Sequence, residues 1–408
     1  MEKWKKDTAL FLGSQSISLF GSSIVQYAIL WYITLETKSG IMMTISIICG
    51  FVPAFFLSPL AGVWADRYSR KKLIILSDGL IAFTTLILAI IFLSGHGSIW
   101  LLFITSAIRS LGTAVQTPAI GAILPQFVPF DKLTRVNGIN SMIQSSVMLV
   151  SPMVSGALLT FASLEAVFFI DVLTATIAIS ILGIFFKVPL HQKALGNQET
   201  GYLEDFKLGL RYIRNHGFLL RLFVFLSIFF LMMAPVAFLT PLQVARSFGE
   251  DVWRLTAIEI AFSIGMMGGG IIIAAWGGFS NRVYTMTLGC FLFGFSVIAL
   301  GLVPNFWIYI AFMLFSGVMV PIFNTPCIVL IQEKVEENYL GRVFGIISML
   351  TSSMMPLGML IFGPLADVIK IEWMLVFTGF IIFLLAFLLI NSKTLVREGQ
   401  AIPHGSGP

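Results

Sequence analysis

Three charged residues stand inside otherwise apolar stretches of the chain: Arg109, Asp171 and Glu259. In hydrocarbon a charge costs at least about 2.5–3.5 kcal/mol on insertion scales, so one that persists is a candidate for function. A carboxyl so placed can exchange protons and an arginine can hold or relay to it. Asp171 and Glu259 are therefore candidate proton-coupling acids, with Arg109 as their partner. The competing reading is structural: Arg109 hydrogen-bonded to helix carbonyls, and the acids as polar locks between helices. Asp78 and Glu36 fall nearer the ends of their stretches, where water or the membrane interface would suffice.

Uncharged polar residues recur at helical spacing. Gln15, Ser18, Ser22 and Gln26 share one face of the first apolar stretch, and Asn137, Ser141, Gln144, Ser151 and Ser155 share one face of the fifth. Such faces line either a cavity or a helix seam. On the cavity reading Gln15, Gln26 and Gln144 are candidate substrate contacts. Met232 and Met233, with Met266 and Met267, would add an adaptable greasy lining, although most of the 38 Phe and 18 Met are bulk that faces lipid. Other chemistry is excluded. Cys49, Cys290 and Cys327 lie in apolar segments without metal-ligand spacing, and His96, His191, His216 and His404 are scattered, so no metal site is expected. Gly268-Gly269-Gly270 has neither a preceding strand nor a following Lys-Ser/Thr pair, so it reads as a helix-packing patch and not a phosphate loop. No cofactor is implied, and no catalytic constellation converges.

The elements that carry these residues follow from composition. The chain has 408 residues, 57% hydrophobic and 11% charged, with mean hydropathy +0.95, whereas soluble domains carry about 25% charged residues. Apolar runs occur near 8–35, 41–65, 73–94, 98–122, 136–160, 164–186, 218–245, 253–276, 283–303, 306–331, 343–365 and 372–391, each close to the ~20 residues that cross a bilayer. An all-α membrane protein of twelve transmembrane helices is predicted. Met1-Glu2-Lys3-Trp4-Lys5-Lys6 enters the first run without a small-residue cleavage site, so that run reads as a retained span. The net charge of +5 comes from short loops and forms no long basic face, which argues against a nucleic-acid partner. With loops assigned alternately, one side holds only Lys38, Arg246, Arg254 and Lys370, while the other basic residues, apart from Arg109 within its apolar run, fall on the side of the N-terminus. The positive-inside rule then places both termini in the cytoplasm and the chain in the inner or plasma membrane.

The order divides in two. Val128, Leu133, Arg135, Val136 and Gly138 recur with identical spacing as Val335, Leu340, Arg342, Val343 and Gly345, after Thr117-Pro118 and Thr325-Pro326 respectively. Duplication of a six-helix unit explains this better than convergence of two loops on one basic helix entry. The expected organisation is an N-terminal bundle over 1–186, a linker over 187–217, a C-terminal bundle over 218–392 and a cytoplasmic tail over 393–408. In the linker, Leu203, Phe206, Leu210 and Ile213 recur at helical spacing beside Lys207, Arg211 and Arg214, which predicts an amphipathic surface helix.

Between the second and third runs the chain reads Gly62-Val-Trp-Ala-Asp66-Arg67-Tyr-Ser-Arg70-Lys71-Lys72, with a remnant, Gly277-x-x-x-Asn281-Arg282, in the second half. Physically, Gly62 would permit close helix contact, Asp66 would face the positive end of a neighbouring helix, and the basic cluster would anchor to anionic head groups. The segment resembles the G-x-x-x-D-R-x-G-R-K loop of the major facilitator superfamily, with Ser69 at the usual second glycine. The fourth run, Ala107-Ile-Arg109-Ser-Leu-Gly112-Thr-Ala-Val-Gln116-Thr-Pro118-Ala119, is similar to the macrolide-efflux branch of drug/proton antiporters, as are Phe169-Ile170-Asp171 and Glu259 with Gly265. Ser151-Pro152-x-x-Ser155-Gly156 resembles the antiporter signature G-P-x-x-G-G, with Ser at two glycines.

The resemblance implies two pseudo-symmetric six-helix bundles around a midplane cavity, and a latch formed by Gly62, Asp66, Arg67, Arg70 and Lys71 with Arg342. It implies a monomeric secondary transporter, not an enzyme, that exports a small amphiphilic compound by proton antiport with alternating access. Its partners would be that compound, protons and membrane lipids. Alternatives of the same fold are a lysolipid flippase, a siderophore exporter or a nutrient symporter. Alternatives of a different class are a non-transporting membrane receptor or a membrane-embedded enzyme.

Overall fold

The computed structural model describes residues 3–129, 132–186 and 202–400. Twelve helices are long and apolar enough to cross a membrane, as expected of backbone that must satisfy its own hydrogen bonds in lipid. In chain order they are α1 (Lys3–Thr37), α2 (Gly40–Arg67), α3 (Arg70–Leu93), α4 (Ile99–Ile123), α5 (Leu133–Phe161) and α6 (Leu164–Ser180, continued by a π-helical turn over Ile181–Phe185). After the linker helix α7 (Tyr202–Asn215) come α8 (Gly217–Phe238), a short α9 (Thr240–Ser247), α10 (Val252–Trp276), α11 (Arg282–Leu302), α12 (Phe306–Lys334), α13 (Glu337–Leu365), α14 (Ile371–Asn391) and a terminal α15 (Lys393–Glu398). The seventh apolar run, expected as one helix, breaks at Leu239 because Pro241 has no N–H to continue the ladder. Among the described residues no strand forms, and a single bridge pairs Asn281 with Gln400.

The chain forms two compact units. The first comprises 1–38, 45–196 and 251–256, and the second 39–44, 197–250 and 257–408. In the first, α1 packs on α5 and α6, and α3 on α4 and α6. In the second, α8 packs on α13 and α14, and α11 on α12 and α14. Counted by span, the first, third, fourth, fifth and sixth helices of each half pair in the same way. That is the arrangement a duplicated six-helix sequence should give. Apolar packing differs in detail: Phe11, Phe127 and Phe186 cluster with centroids 5.1–5.6 Å apart in the first unit, while Phe229 stacks on Phe323 at 4.4 Å in the second.

Glycine matters where helices cross closely. A Cβ on Gly265 or Gly269 of α10 would lie 2.1 or 2.2 Å from the carbonyls of Leu314 and Val318 in α12, and one on Gly317 would strike the Phe262 carbonyl. Of the three consecutive glycines, only Gly269 makes this approach; Gly268 and Gly270 meet nothing. Among the described residues nothing lies within 4 Å of a Cβ built on Gly62, so the expected close helix contact is not formed there.

The linker helix belongs to the second unit, and its buried face differs from the expected one. Leu210 is exposed, while Gly209, Tyr212 and Ile213 are buried. A Cβ on Gly209 would meet Ile346, and Tyr212 stacks on Tyr339 at 4.2 Å, so α7 docks through a glycine and a ring onto α13. The side chains of Leu203 and Phe206 lie outside the described residues, as do 187–201 and 401–408. The expected tail is part of the fold as far as residue 400: α15 packs on α8, α11 and α14, and Gly399 accepts from Arg282 N–H at 2.8 Å.

The second-half remnant loop has become a cap. Asn281 Oδ1 accepts from Val283 N–H at 3.0 Å at the start of α11, and its Nδ2 donates to the Val396 carbonyl at 2.8 Å. Asn281→Ala is expected to cost about 1 kcal/mol, the usual worth of an N-cap. Asn281→Asp, which keeps the acceptor and loses the donor, should lose less. Chemical denaturation in micelles would measure both.

Candidate functional site

The first unit gathers a polar network in its interior. Asp171, in α6, is 0% exposed, and Arg109, in α4, is 6% exposed. Their side chains form an ion pair. Asp171 Oδ1 accepts from Ser22 Oγ of α1 at 3.0 Å, and Oδ2 lies 3.1 Å from Thr85 Oγ1 of α3. Arg109 donates to the same threonine hydroxyl and, at 3.2 Å, to the Ser22 carbonyl. Four helices thus converge on one charge pair, and both carboxylate oxygens are bonded. Fully satisfied polar networks of this kind hold helices in one register, and in hydrocarbon they are the form in which charge can persist. The predicted partnership of Arg109 with an acid therefore falls on Asp171, and Thr85 and Ser22 complete it.

Glu259 is placed differently. It lies two turns into α10, half-buried, with no hydrogen-bond or ion-pair partner among the described residues. Asp78, which its place near the end of an apolar run demoted, is 2% exposed in the interior of α3. Ser18 Oγ and Gln116 Nε2 donate to its Oδ1 at 2.6 and 2.8 Å. The apolar run begins near Leu73, but α3 begins at Arg70, so Asp78 is a full two turns inside the helix.

The polar faces divide between seam and surface. In α1, Gln15 is 7% exposed and directed to Asp78, and Ser18 and Ser22 bond the two acids, so this stretch of the face is a seam and not a cavity wall. Gln26, further along, is exposed. In α5, Ser151 and Ser155 are fully buried, with Ser155 donating to the Ile24 carbonyl at 3.1 Å, while Asn137, Ser141 and Gln144 are exposed. Met232 and Met233 are half-buried on α8.

Around the 62–72 segment the basic residues do more than face lipid. Arg70 donates to the carbonyls of Ala65, at 3.0 Å, and Ala122, and Lys71 to those of Gly183 and Phe186, at 3.1 and 2.6 Å. These carbonyls end α2, α4 and α6, where helices leave acceptors without intrahelical partners. Arg70 and Lys71, expected to anchor to head groups, thus fasten three helix ends. Arg67 is exposed, and the side chain of Asp66 lies outside the described residues. Arg342, in the second unit, lies over the Tyr339 ring at 5.5 Å.

A second acid went unread in the sequence. Gly363-Pro-Leu-Ala-Asp367 repeats the Gly-x-x-x-Asp spacing and the Ala-Asp pair of Gly62 to Asp66. In the second unit Asp367 accepts from the N–H groups of Gly40 and Ile41 at 2.7 and 3.0 Å, from Ser39 Oγ at 2.8 Å and from Arg246 at 2.8 Å. It caps the positive start of α2. Partial burial by itself would raise the Asp367 carboxyl, but these four donors hold it below the usual carboxylate range. A carboxyl lowered on folding stabilises fully above its unfolded value of about 4 and stops doing so as pH falls through the folded one. Asp367→Ala should therefore lower the unfolding free energy by about 0.5–1 kcal/mol at neutral pH, a modest figure because the site is partly solvated. The gap from wild type should close on acidification below the ordinary carboxylate range, as followed by melting at graded pH.

Comparison with known proteins agrees with this architecture. The Major Facilitator Superfamily profile matches residues 11–359, with a second match over 241–400. Macrolide efflux protein A of Streptococcus pyogenes is 31% identical over 391 residues, covering 95% of this chain and 96% of that protein. The protein of the same name from Enterococcus faecalis is 31% identical over 79% of this chain and 99% of its own length. The Staphyloferrin A transporter of Staphylococcus aureus is 25% identical over 98% of this chain and 99% of its own. Among solved structures, a bacterial homologue of the lysosomal transporter Spinster superposes with a TM-score of 0.72 at 14% identity, covering 99% of this chain and 100% of that one. The nucleoside transporter NupG superposes with a TM-score of 0.67 at 14% identity, covering 95% and 98%. Twelve membrane-crossing helices, the same helix pairing in each half and a match along nearly the whole length make this chain a multi-pass membrane transporter, not an enzyme, and it belongs to the Major Facilitator Superfamily.

Proposed function

We propose that the protein exports a small amphiphilic, macrolide-like compound in exchange for protons, by alternating access, as a monomer with both termini in the cytoplasm. The observation that carries the reading is the Arg109–Asp171 pair, fully enclosed in the first unit and held from four helices. A charge pair is retained in hydrocarbon at a cost, and a carboxyl that trades its arginine for a proton links protonation to helix packing. Glu259, without a partner among the described residues, is the complementary acid of the second unit. Similarity to proteins named for macrolide efflux supports the compound class. The asymmetry of basic residues supports the orientation. Gln26, Gln144, Met232 and Met233 are the side chains proposed to meet the compound, and Gly62, Asp66, Arg67, Arg70 and Lys71 with Arg342 the latch that cycles between states.

The reading is tested in everted vesicles energised by a pH gradient, with macrolides, cationic dyes and lysolipids added one at a time. A compound that discharges the gradient only when the protein is present is the expected result. If compounds cross while the gradient is untouched, proton exchange falls and a facilitator or flippase replaces it.

A further inference from the structure

The proton-coupled reading uses Asp171 and Glu259 and leaves another acid, the enclosed Asp78, idle. Among the described residues Asp78 receives hydrogen bonds from Ser18 and Gln116 on Oδ1, while Oδ2 is sealed from solvent and has no partner within hydrogen-bond distance. Beside it Gln15 is directed at the same carboxyl, yet its Nε2, equally sealed, closes no hydrogen bond. An unmatched acceptor and an unmatched amide therefore share one buried spot, in a protein whose other enclosed acid, Asp171, has both oxygens bonded. Buried polar atoms without partners cost on the order of 1–3 kcal/mol each and call for an explanation.

We propose that Gln15, Ser18, Asp78 and Gln116 form a proton-binding site that works in series with Asp171. The donor set selects a proton over a metal ion. Ser18 and Gln116 already point hydrogens at the carboxylate, so the site presents too few oxygens for a cation that wants six or more. The Gln15 carboxamide suits both protonation states. With its NH2 turned to Oδ2 it donates to the ionised carboxylate, and rotated about its last torsion it presents Oε1 to accept from the protonated acid. The proton bonds to Oδ2 to give a neutral carboxylic acid, and it leaves to a water molecule with the amide turning back; no other bond changes.

Helix geometry puts the two acids on one line. Asp78 and Thr85 are seven residues apart on α3, as are Arg109 and Gln116 on α4, so each pair is separated by roughly 10 Å along its helix. On α1, Ser18 serves Asp78 and Ser22, one turn on, serves Asp171. The charged groups that face Asp78 from its packed neighbours are Asp171 of α6, near enough for its charge to be felt, and behind it Arg109 of α4, engaged by Asp171. No cation contacts Asp78 among the described residues, so a proton is the charge that neutralises it.

The proposal rests on the proton-coupled reading, and its test separates the two. Infrared spectra of the full chain in lipid bilayers, titrated from mildly acid to mildly alkaline, should show a protonated-carboxyl band that is lost in Asp78→Asn, retained in Asp171→Asn and shifted to higher frequency in Gln15→Leu, which removes the amide. In the vesicle assay Asp78→Asn should lose compound-driven discharge of the gradient. A band unchanged in both Asp78→Asn and Gln15→Leu overturns the site, and so does full gradient discharge by a folded Asp78→Asn, which would make the acid a bystander. If Asp78→Asn does not fold, the Gln15→Leu shift decides alone. If wild type moves no protons with any compound while the band still depends on Asp78, it is the coupling that fails and the proton site that stands.

Discussion

Asp171→Asn should unfold well below wild type and lose proton-coupled transport, while the double variant Arg109→Met/Asp171→Leu should regain much of the stability and none of the transport. The single change strands a guanidinium in the first unit without its carboxylate. Breaking a buried pair from one side costs about 3–5 kcal/mol, whereas replacing both partners by apolar groups is often neutral or stabilising. Recovery should be incomplete here because Ser22 would then lack its acceptor, while Thr85 keeps the Ile81 carbonyl at 2.9 Å. Unfolding midpoints and gradient discharge, measured on the same preparations, read the two effects separately. A double variant that transports like wild type would make the pair a structural lock and nothing more.

The second large effect is expected at Glu259, with the opposite balance. Glu259→Gln removes a charge that has no partner among the described residues, so nothing is stranded, and stability should stay within about 0.5 kcal/mol of wild type. Gradient discharge, in contrast, should disappear, because the amide keeps the shape and cannot carry a proton. A variant that discharges the gradient normally would clear Glu259 of the coupling role and leave it to the acids of the first unit. The contrast between the two sites is the informative part: one loses stability and function together, the other function alone.

Much of the architecture could be read from the chain. Twelve apolar runs became twelve membrane-crossing helices within a few residues at most ends, because length and hydropathy are local properties and lipid enforces helix on any long apolar segment. The duplication was visible in one pair of loops, and it reappears as the same order of helix pairing in each unit. The candidate site was legible in part. Arg109 and Asp171 stood out because charge in an apolar run is conspicuous, but neither residue names its partner, and Thr85 and Ser22 look like any hydroxyl in a helix.

Other features were out of reach for identifiable reasons. Asp78 was misjudged since a helix extends past its apolar run through basic residues, and the length of that extension depends on what Arg70 and Lys71 can bond. Asp367 carried a signal, the repeated Gly-x-x-x-Asp spacing, that means little until its carboxylate is seen against the start of α2. The polar face of α1 is periodic, yet periodicity fixes only which residues share a face and not what that face meets, and here Gln15 is buried while Gln26 is exposed.

The sequence by itself determined the class of solvent, the number of spans, the twofold repeat and the presence of charge where charge is costly, since each of these is set by composition along a few consecutive turns. Only the tertiary structure decided that Asp171 is paired, that Glu259 has no partner among the described residues, and that Gln15 turns to Asp78, because those facts depend on the rotation of separate helices about their axes, and close packing fixes that rotation for all of a unit's helices together.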